Sequence, residues 1–171
     1  MKFRVAVVGK EGAGKSTVIN NYCGFKDDDP HAAQVGVMKT CNVLMEYVSP
    51  ENPEVIMTEI PHGVPIENKY DAFVIVSNSK ILVVDHKYIE TVKEFNKPFF
   101  FLKSHVDMDF QNAARRNISQ NATKKTILDD CMKIDELIYL ETLFLVGYKD
   151  GNSTDLGLDY ESFVKHLNSL Q

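Results

Sequence analysis

The residues with the clearest chemical purpose lie near the beginning of the 171-residue chain, where Gly9-Lys10-Glu11-Gly12-Ala13-Gly14-Lys15-Ser16 has the spacing G-x-x-x-x-G-K-[ST]. An apolar run, Phe3 to Val8, precedes this segment, and Lys15 to Tyr22 follows with helical spacing, so the order reads strand, loop, helix. In that setting glycines let the backbone wrap closely around a phosphate. Successive N–H groups and the helix N-terminus supply positive potential, and the Lys15 ammonium reaches the outer phosphates. Ser16 then offers its hydroxyl to Mg2+. The expected phosphate-binding residues are Gly9, Gly12, Ala13, Gly14, Lys15, Ser16 and Thr17.

A phosphate loop does not choose between guanine and adenine, so base selection must come from the C-terminal edges of later strands, where open α/β sheets bind ligands. After the apolar run Phe99 to Leu102 comes Ser104-His105-Val106-Asp107, which resembles the [NT]-K-x-D motif by which GTPases read the base. A carboxylate at Asp107 accepts two hydrogen bonds from the guanine N1–H and 2-amino group. Adenine presents an unprotonated ring nitrogen there and leaves the acceptor unpaired. His105 replaces the lysine whose stem normally covers the base, and its imidazole can still stack. A second segment, Leu145-Val146-Gly147-Tyr148-Lys149, falls where GTPases present a backbone N–H to the guanine carbonyl oxygen. Tyr148 is placed there either to shield the base or to pack on the last helix.

Other chemistries find little support. The formal net charge is -5 and the arginines are Arg4, Arg115 and Arg116, so no basic surface for general nucleic-acid binding is expected. Cys23, Cys41 and Cys131 are too dispersed for a disulfide framework or a metal knuckle and are expected as small buried hydrophobes. His31, His86 and His166 share no metal-ligand spacing, and the acidic run Asp27, Asp28, Asp29 is expected to be solvated rather than metal-bound. No apolar run approaches the roughly 18 to 20 residues needed to cross a bilayer, and the N-terminus enters a strand without a basic leader. A cytoplasmic location without a transmembrane segment is therefore expected.

The elements that position these residues follow from hydrophobic periodicity. Strands are predicted at Phe3 to Val8, Asn42 to Val48, Val55 to Ile60, Ala72 to Val76, Pro98 to Leu102 and Leu143 to Val146. Helices are predicted at Lys15 to Tyr22, about Asp85 to Phe95, about Thr123 to Ile138, and through Tyr160, Phe163, Val164, Leu167 and Leu170. Gly24 to Gln34 and Asp109 to Ala122 are expected as long loops, Gly9 to Gly14 and Pro61 to Asn68 as shorter ones. Strands alternating with helices predict a single α/β domain over residues 1–171, a three-layer, mostly parallel six-stranded sheet flanked by helices, which together with the motifs above resembles the P-loop GTPase architecture.

At this level the chain resembles the GTPase domain of the immunity-related, interferon-inducible GTPases. The resemblance rests on Val5-Ala-Val-Val-Gly9 through Ser16, Val18-Ile-Asn20, Val35-Gly36-Val37-Met-Lys-Thr40 and Glu59-Ile-Pro61. It continues through Val106-Asp107-Met-Asp109-Phe-Gln-Asn112 with Arg115-Arg116, and Leu143-Phe-Leu-Val146. It implies a guanine nucleotide switch using GTP, GDP and Mg2+. It also implies hydrolysis by a homodimer facing across the nucleotide pockets. Family members carry further helices on both sides of this domain for assembly and membrane targeting. The 171 residues correspond to the domain alone, so those functions are not implied.

Thr40 resembles the threonine that closes on Mg2+ and the γ-phosphate in GTP-bound switches, with Gly24 to Gln34 as the mobile loop. The third GTPase element, D-x-x-G, is here Glu59-Ile60-Pro61-His62-Gly63. Glu59 is one methylene longer than aspartate and would reach the Mg2+ shell through water. His62 replaces the glycine whose N–H reports the γ-phosphate, and is either a water-orienting group or an ordinary loop residue. Glu11 stands where many fast GTPases keep glycine and repels the γ-phosphate. Slow or assembly-dependent hydrolysis is expected, because positioning and charge stabilisation supply nearly all of phosphoryl-transfer catalysis. Lys15, Thr40 and His62 are the catalytic candidates, and Ser16, Thr40 and Glu59 the metal ligands. Two other readings remain: a catalytically inactive pseudo-GTPase that uses nucleotide to stabilise a protein-interaction module, and a P-loop kinase, for which no arginine-rich lid is found.

Overall fold

The computed structural model describes residues 1–35, 43–78, 83–134 and 142–171. Thr40 and Cys41 fall outside the described residues. In chain order the elements are β1 (Phe3–Val8), α1 (Lys15–Cys23), β2 (Met45–Val48), β3 (Val55–Glu59), β4 (Ala72–Ser77) and α2 (Val83–Glu94). These are followed by β5 (Phe99–Lys103), α3 (Val106–Ala114), α4 (Gln120–Ile134), β6 (Leu143–Leu145) and α5 (Tyr160–Asn168). The six strands form one sheet in the order β2-β3-β1-β4-β5-β6. β2 pairs antiparallel with β3, and every other neighbouring pair is parallel. The α/β architecture expected from the alternation of strand and helix patterns is the one observed.

Alternation along β1 divides the core in two. Val5 and Val7 face the side covered by α1 and α5, with Val18, Ile19, Phe163 and Leu167. Ala6 and Val8 face the side of α2 and α4, with Ile89, Val92 and Cys131. Parallel strands covered on both faces read as continuous apolar runs, which is why β1, β4 and β5 are visible in the sequence. α5 is held by aromatic edge contacts. Phe163 meets Phe100 at 5.7 Å and Phe144 at 5.8 Å between ring centroids, each pair contributing roughly 0.5 to 1.5 kcal/mol beyond area burial. This fixes β6 and the chain that leaves it. Cys23 and Cys131 are buried and free, and burial pushes their thiols up to about 12 and about 11, so both pack as apolar side chains. Among the described residues no helix is long and apolar enough to cross a membrane.

One expectation is overturned. Asp109 to Ala122 is not a long loop: α3 runs from Val106 to Ala114 and α4 begins at Gln120. Val106 is the buried residue of α3, and Phe110 and Ala113, at helical spacing from it, are only partly covered, so the helix lies near the surface and its apolar edge is short and set among polar residues. Boundaries also move by a few residues elsewhere. The described part of β2 begins at Met45 rather than at Asn42, which lies outside the described residues, and α4 starts ahead of Thr123.

Candidate functional site

β1 delivers the chain to the phosphate loop at the C-terminal edge of the sheet. Gly9 leaves β1 with φ of +152°, and a Cβ there would stand 2.3 Å from the Val76 carbonyl oxygen of β4, so only glycine fits against that strand. The loop closes on Gly14, the N-cap of α1. No side chain caps this helix and its first turn holds no acidic residue, so its positive end faces the loop. Lys15 folds back, its ammonium donating to the carbonyls of Gly9 at 2.9 Å and Lys10 at 3.1 Å. The cation is thus fixed inside the loop. Two further contacts brace it: Ser104 Oγ donates to the Ala13 carbonyl at 2.6 Å, and Asn78 Nδ2 to the Gly12 carbonyl at 3.1 Å. Ala13 is fully buried, Thr17 is buried in the first turn of α1, and Gly12 and Glu11 are exposed at the rim.

Beside this loop lies a cleft partly open to solvent, bounded by Gly14 and Thr17, by His105 and Asp107, and by Gly147 and Tyr148. Two backbone hydrogen bonds bring its far walls together. The Val106 N–H donates to the Val146 carbonyl at 3.2 Å, and the Val146 N–H to the Lys103 carbonyl at 2.9 Å. His105 makes the turn into α3 with φ of +58°, a left-handed conformation costing roughly 1 kcal/mol for a residue with a Cβ. This turn lets Ser104 point into the phosphate loop while Asp107, half-buried in the first turn of α3, lines the cleft. His105 Nδ1 lies 3.1 Å from Ser104 Oγ. Gly147 packs so tightly that a Cβ there would stand 2.6 Å from the Asp107 amide nitrogen and 2.7 Å from its Oδ1. The Gly147 N–H is already donated to the Leu156 carbonyl at 3.1 Å, so what Gly147 contributes is room for Asp107. Tyr148 is half-buried against the α1 and α5 side of the core and also lines the cleft.

On the opposite side of the phosphate loop, the Ser16 hydroxyl lies 3.1 and 3.2 Å from the two carboxylate oxygens of Glu59 at the end of β3. Glu59 is buried, and burial together with this carboxylate holds the Tyr47 phenol up to about 12. A hydroxyl and a carboxylate adjoining a phosphate loop are hard oxygen donors of the type Mg2+ takes. The third metal candidate, Thr40, lies outside the described residues. His62 is exposed, with Nδ1 3.2 Å from the hydroxyl of Tyr88 on α2. Burial raises the Tyr88 phenol, the Asp85 carboxylate adds to this, and a hydrogen bond with the Gly63 backbone opposes it. Tyr88 therefore stays a neutral phenol linking α2 to both residues of the turn after β3.

The segment 24–34 is anchored near both of its ends. Asn20 on α1 donates to the Ala33 carbonyl at 2.8 Å and accepts from the Ala33 N–H at 2.6 Å, while Ser153 Oγ donates to Asp27 at 2.9 Å. Ser104, Asn78, Lys103 and Asp109 belong to the site's framework and are not among the residues expected from the sequence. Ser104 was readable, since it fills the [NT] position of the motif, and Lys103 is the charged end of an otherwise apolar strand.

Comparison with known proteins identifies the family and the fold. The family described as Interferon-inducible GTPase (IIGP) matches residues 1–169. Interferon-gamma-inducible GTPase 10 of Mus musculus is 29% identical over 145 residues, covering 75% of this chain and 34% of that protein. Interferon-inducible GTPase 5 of Rattus norvegicus is 31% identical over 147 residues, covering 76% and 31%. The chain thus spans about a third of the length of the curated relatives it matches. Among solved structures, an Aquifex aeolicus Era variant bound to GDP and AlF4- is similar with a TM-score of 0.65 at 16% identity, covering 99% of this chain and 57% of that one. Toc33 from Arabidopsis thaliana, in complex with GDP and Mg2+, is similar with a TM-score of 0.62 at 12% identity, covering 99% and 84%. These two likenesses concern the fold. With its family's profile matched from residue 1 to residue 169, the chain belongs to the interferon-inducible GTPase family.

Proposed function

We propose that this domain binds guanine nucleotides and, with Mg2+, hydrolyses GTP to GDP and phosphate slowly, at a rate set by assembly of a homodimer across the nucleotide face in the cytoplasm. The observation that carries the reading is the cleft in which Asp107 is held against Gly147 beside the phosphate loop. The loop amides and Lys15 take the phosphates, His105 and Tyr148 flank the base, and Asp107 accepts from its N1–H and 2-amino group. Because the Gly147 N–H is engaged, the backbone donor to the guanine carbonyl falls to the next residue, Tyr148. Ser16 and Glu59 would hold Mg2+, joined by Thr40; the ion neutralises charge on the β- and γ-phosphate oxygens.

Gly147→Ala tests the cleft. The added methyl displaces Asp107, and GDP binding is expected to weaken about tenfold, roughly 1.4 kcal/mol, as read by calorimetry. Undiminished affinity would remove Gly147 from the site.

A second reading is favoured by the turn after β3. His62 stands where the γ-phosphate-sensing glycine belongs and is engaged by Tyr88, while Ser16 is engaged by Glu59. In that reading the domain is a pseudo-GTPase, and nucleotide only stabilises an interaction module by mass action. The two separate in one assay. GTP turnover per chain that rises with protein concentration supports the assembly-dependent enzyme, whereas tight GDP binding with no turnover at any concentration supports the inactive module.

A further inference from the structure

Lys103 ends β5 after four apolar residues, Phe99 to Leu102, and is only 5% exposed. A buried ammonium is costly unless its protons find acceptors. Here there is an acceptor for each of its three protons. Nζ donates to the Ser104 carbonyl at 2.8 Å, to Asp109 Oδ2 at 2.8 Å and to the Asn78 carbonyl at 3.3 Å. These acceptors surround one segment. Ser104 and Asp109 bracket the left-handed turn at His105 and the first turn of α3, which carries Asp107 between them. Asn78 ties the same cation to the end of β4. The strand itself does not require a charge there, since the residues paired with Lys103 are Ser77 and Leu145, and an apolar side chain would continue the run.

We propose that Lys103 is a positioning residue for base specificity: its buried ammonium grips both ends of the 104–109 turn and holds the Asp107 carboxylate at the angle that reads the N1–H and 2-amino edge of guanine. This rests on the guanine-nucleotide reading of the cleft. Asp107 reaches the base from a turn that a non-glycine residue enters with positive φ, so the turn needs an outside restraint. Lys103 supplies it through the ion pair to Asp109 and the hydrogen bond to the Ser104 carbonyl. The phosphate loop keeps its own braces from Ser104 Oγ and Asn78 Nδ2, neither of which uses the Lys103 ammonium.

The test compares GDP with IDP, which lacks the 2-amino group, and with inorganic pyrophosphate, which has no base. All three are titrated calorimetrically with Mg2+ into the 171-residue chain. The unaltered protein is expected to prefer GDP over IDP by about tenfold or more, because an acceptor built for an amino group loses its partner in IDP. Lys103→Met, which keeps the length and lets the partly exposed Asp109 turn to water, is expected to shrink that preference about fivefold or more while pyrophosphate affinity stays within about twofold. Lys103→Arg retains a cation and is expected to restore the preference. Asp109→Asn weakens the same grip from the more exposed end and gives the same readout if Lys103→Met does not fold. An unchanged GDP-to-IDP ratio in the variants overturns the proposal, as does an equal loss for all three ligands, which marks general destabilisation. If the unaltered protein binds GDP no better than IDP, the guanine reading of the cleft fails first and the role of Lys103 falls with it.

Discussion

Lys15→Ala is expected to weaken binding of GTP with Mg2+ by about a hundredfold or more, because a hydrogen bond to a charged group contributes roughly 1.5 to 3 kcal/mol and the substitution also removes the positive charge expected to face the outer phosphates. The ammonium is not floating in solvent beside the loop. It is buried and anchored to the Gly9 and Lys10 carbonyls, so its position is set before ligand arrives and little entropy is lost on binding. Alanine removes the cation and leaves those two carbonyls facing the space where phosphate would sit. The fold should survive, since the core on the α1 side is built from Val18, Ile19 and Cys23 rather than from Lys15. Calorimetry on the variant, with circular dichroism to confirm folding, reads the effect. Affinity within a few-fold of the original would show that the loop does not bind phosphate.

Asp107→Asn is expected to change which purine is bound rather than whether one is. In the proposed pose the carboxylate accepts from two donors on guanine. An asparagine amide can accept only through its oxygen and turns its NH2 toward the 2-amino group, donor against donor. Xanthine carries a carbonyl at that position and becomes the better partner. GDP affinity should fall roughly a hundredfold and XDP should bind more tightly than GDP, since sites built around a ligand hydrogen bond discriminate by factors of this size or larger. Competition between the two nucleotides in one titration gives the ratio directly. Unchanged base selectivity would count against the placement of Asp107 at the base.

The phosphate loop was legible because its requirements are local: glycine against β4, a cation at the start of α1 and a hydroxyl next to it all fall between Gly9 and Ser16. The central strands were legible for a similar reason, as parallel strands covered on both faces leave continuous apolar runs such as Phe73 to Val76. α3 was not. It buries Val106, partly covers Phe110 and Ala113 and leaves Met108, Gln111 and Asn112 outside, so its apolar edge is short and set among polar residues. The framework of the base cleft was hidden for a different reason. Lys103 meets Asn78 only after two strands lie side by side, it meets Asp109 only once the turn into α3 has formed, and the engagement of Gly147 by Leu156 depends on the return of the chain before α5. His62 shows the same limit. Its position after β3 could be read from the sequence, but its pairing with Tyr88 arises from the packing of α2 beside that turn.

A phosphate grip at Gly9 to Ser16 and a purine-selecting carboxylate at Asp107 are proposed to form one site. Calorimetric titration of GDP and of ADP, each with Mg2+, into the folded chain at neutral pH tests this. Saturable heat with one GDP per chain and much weaker binding of ADP are expected. Equal binding of the two, or no heat from either, would overturn the proposal.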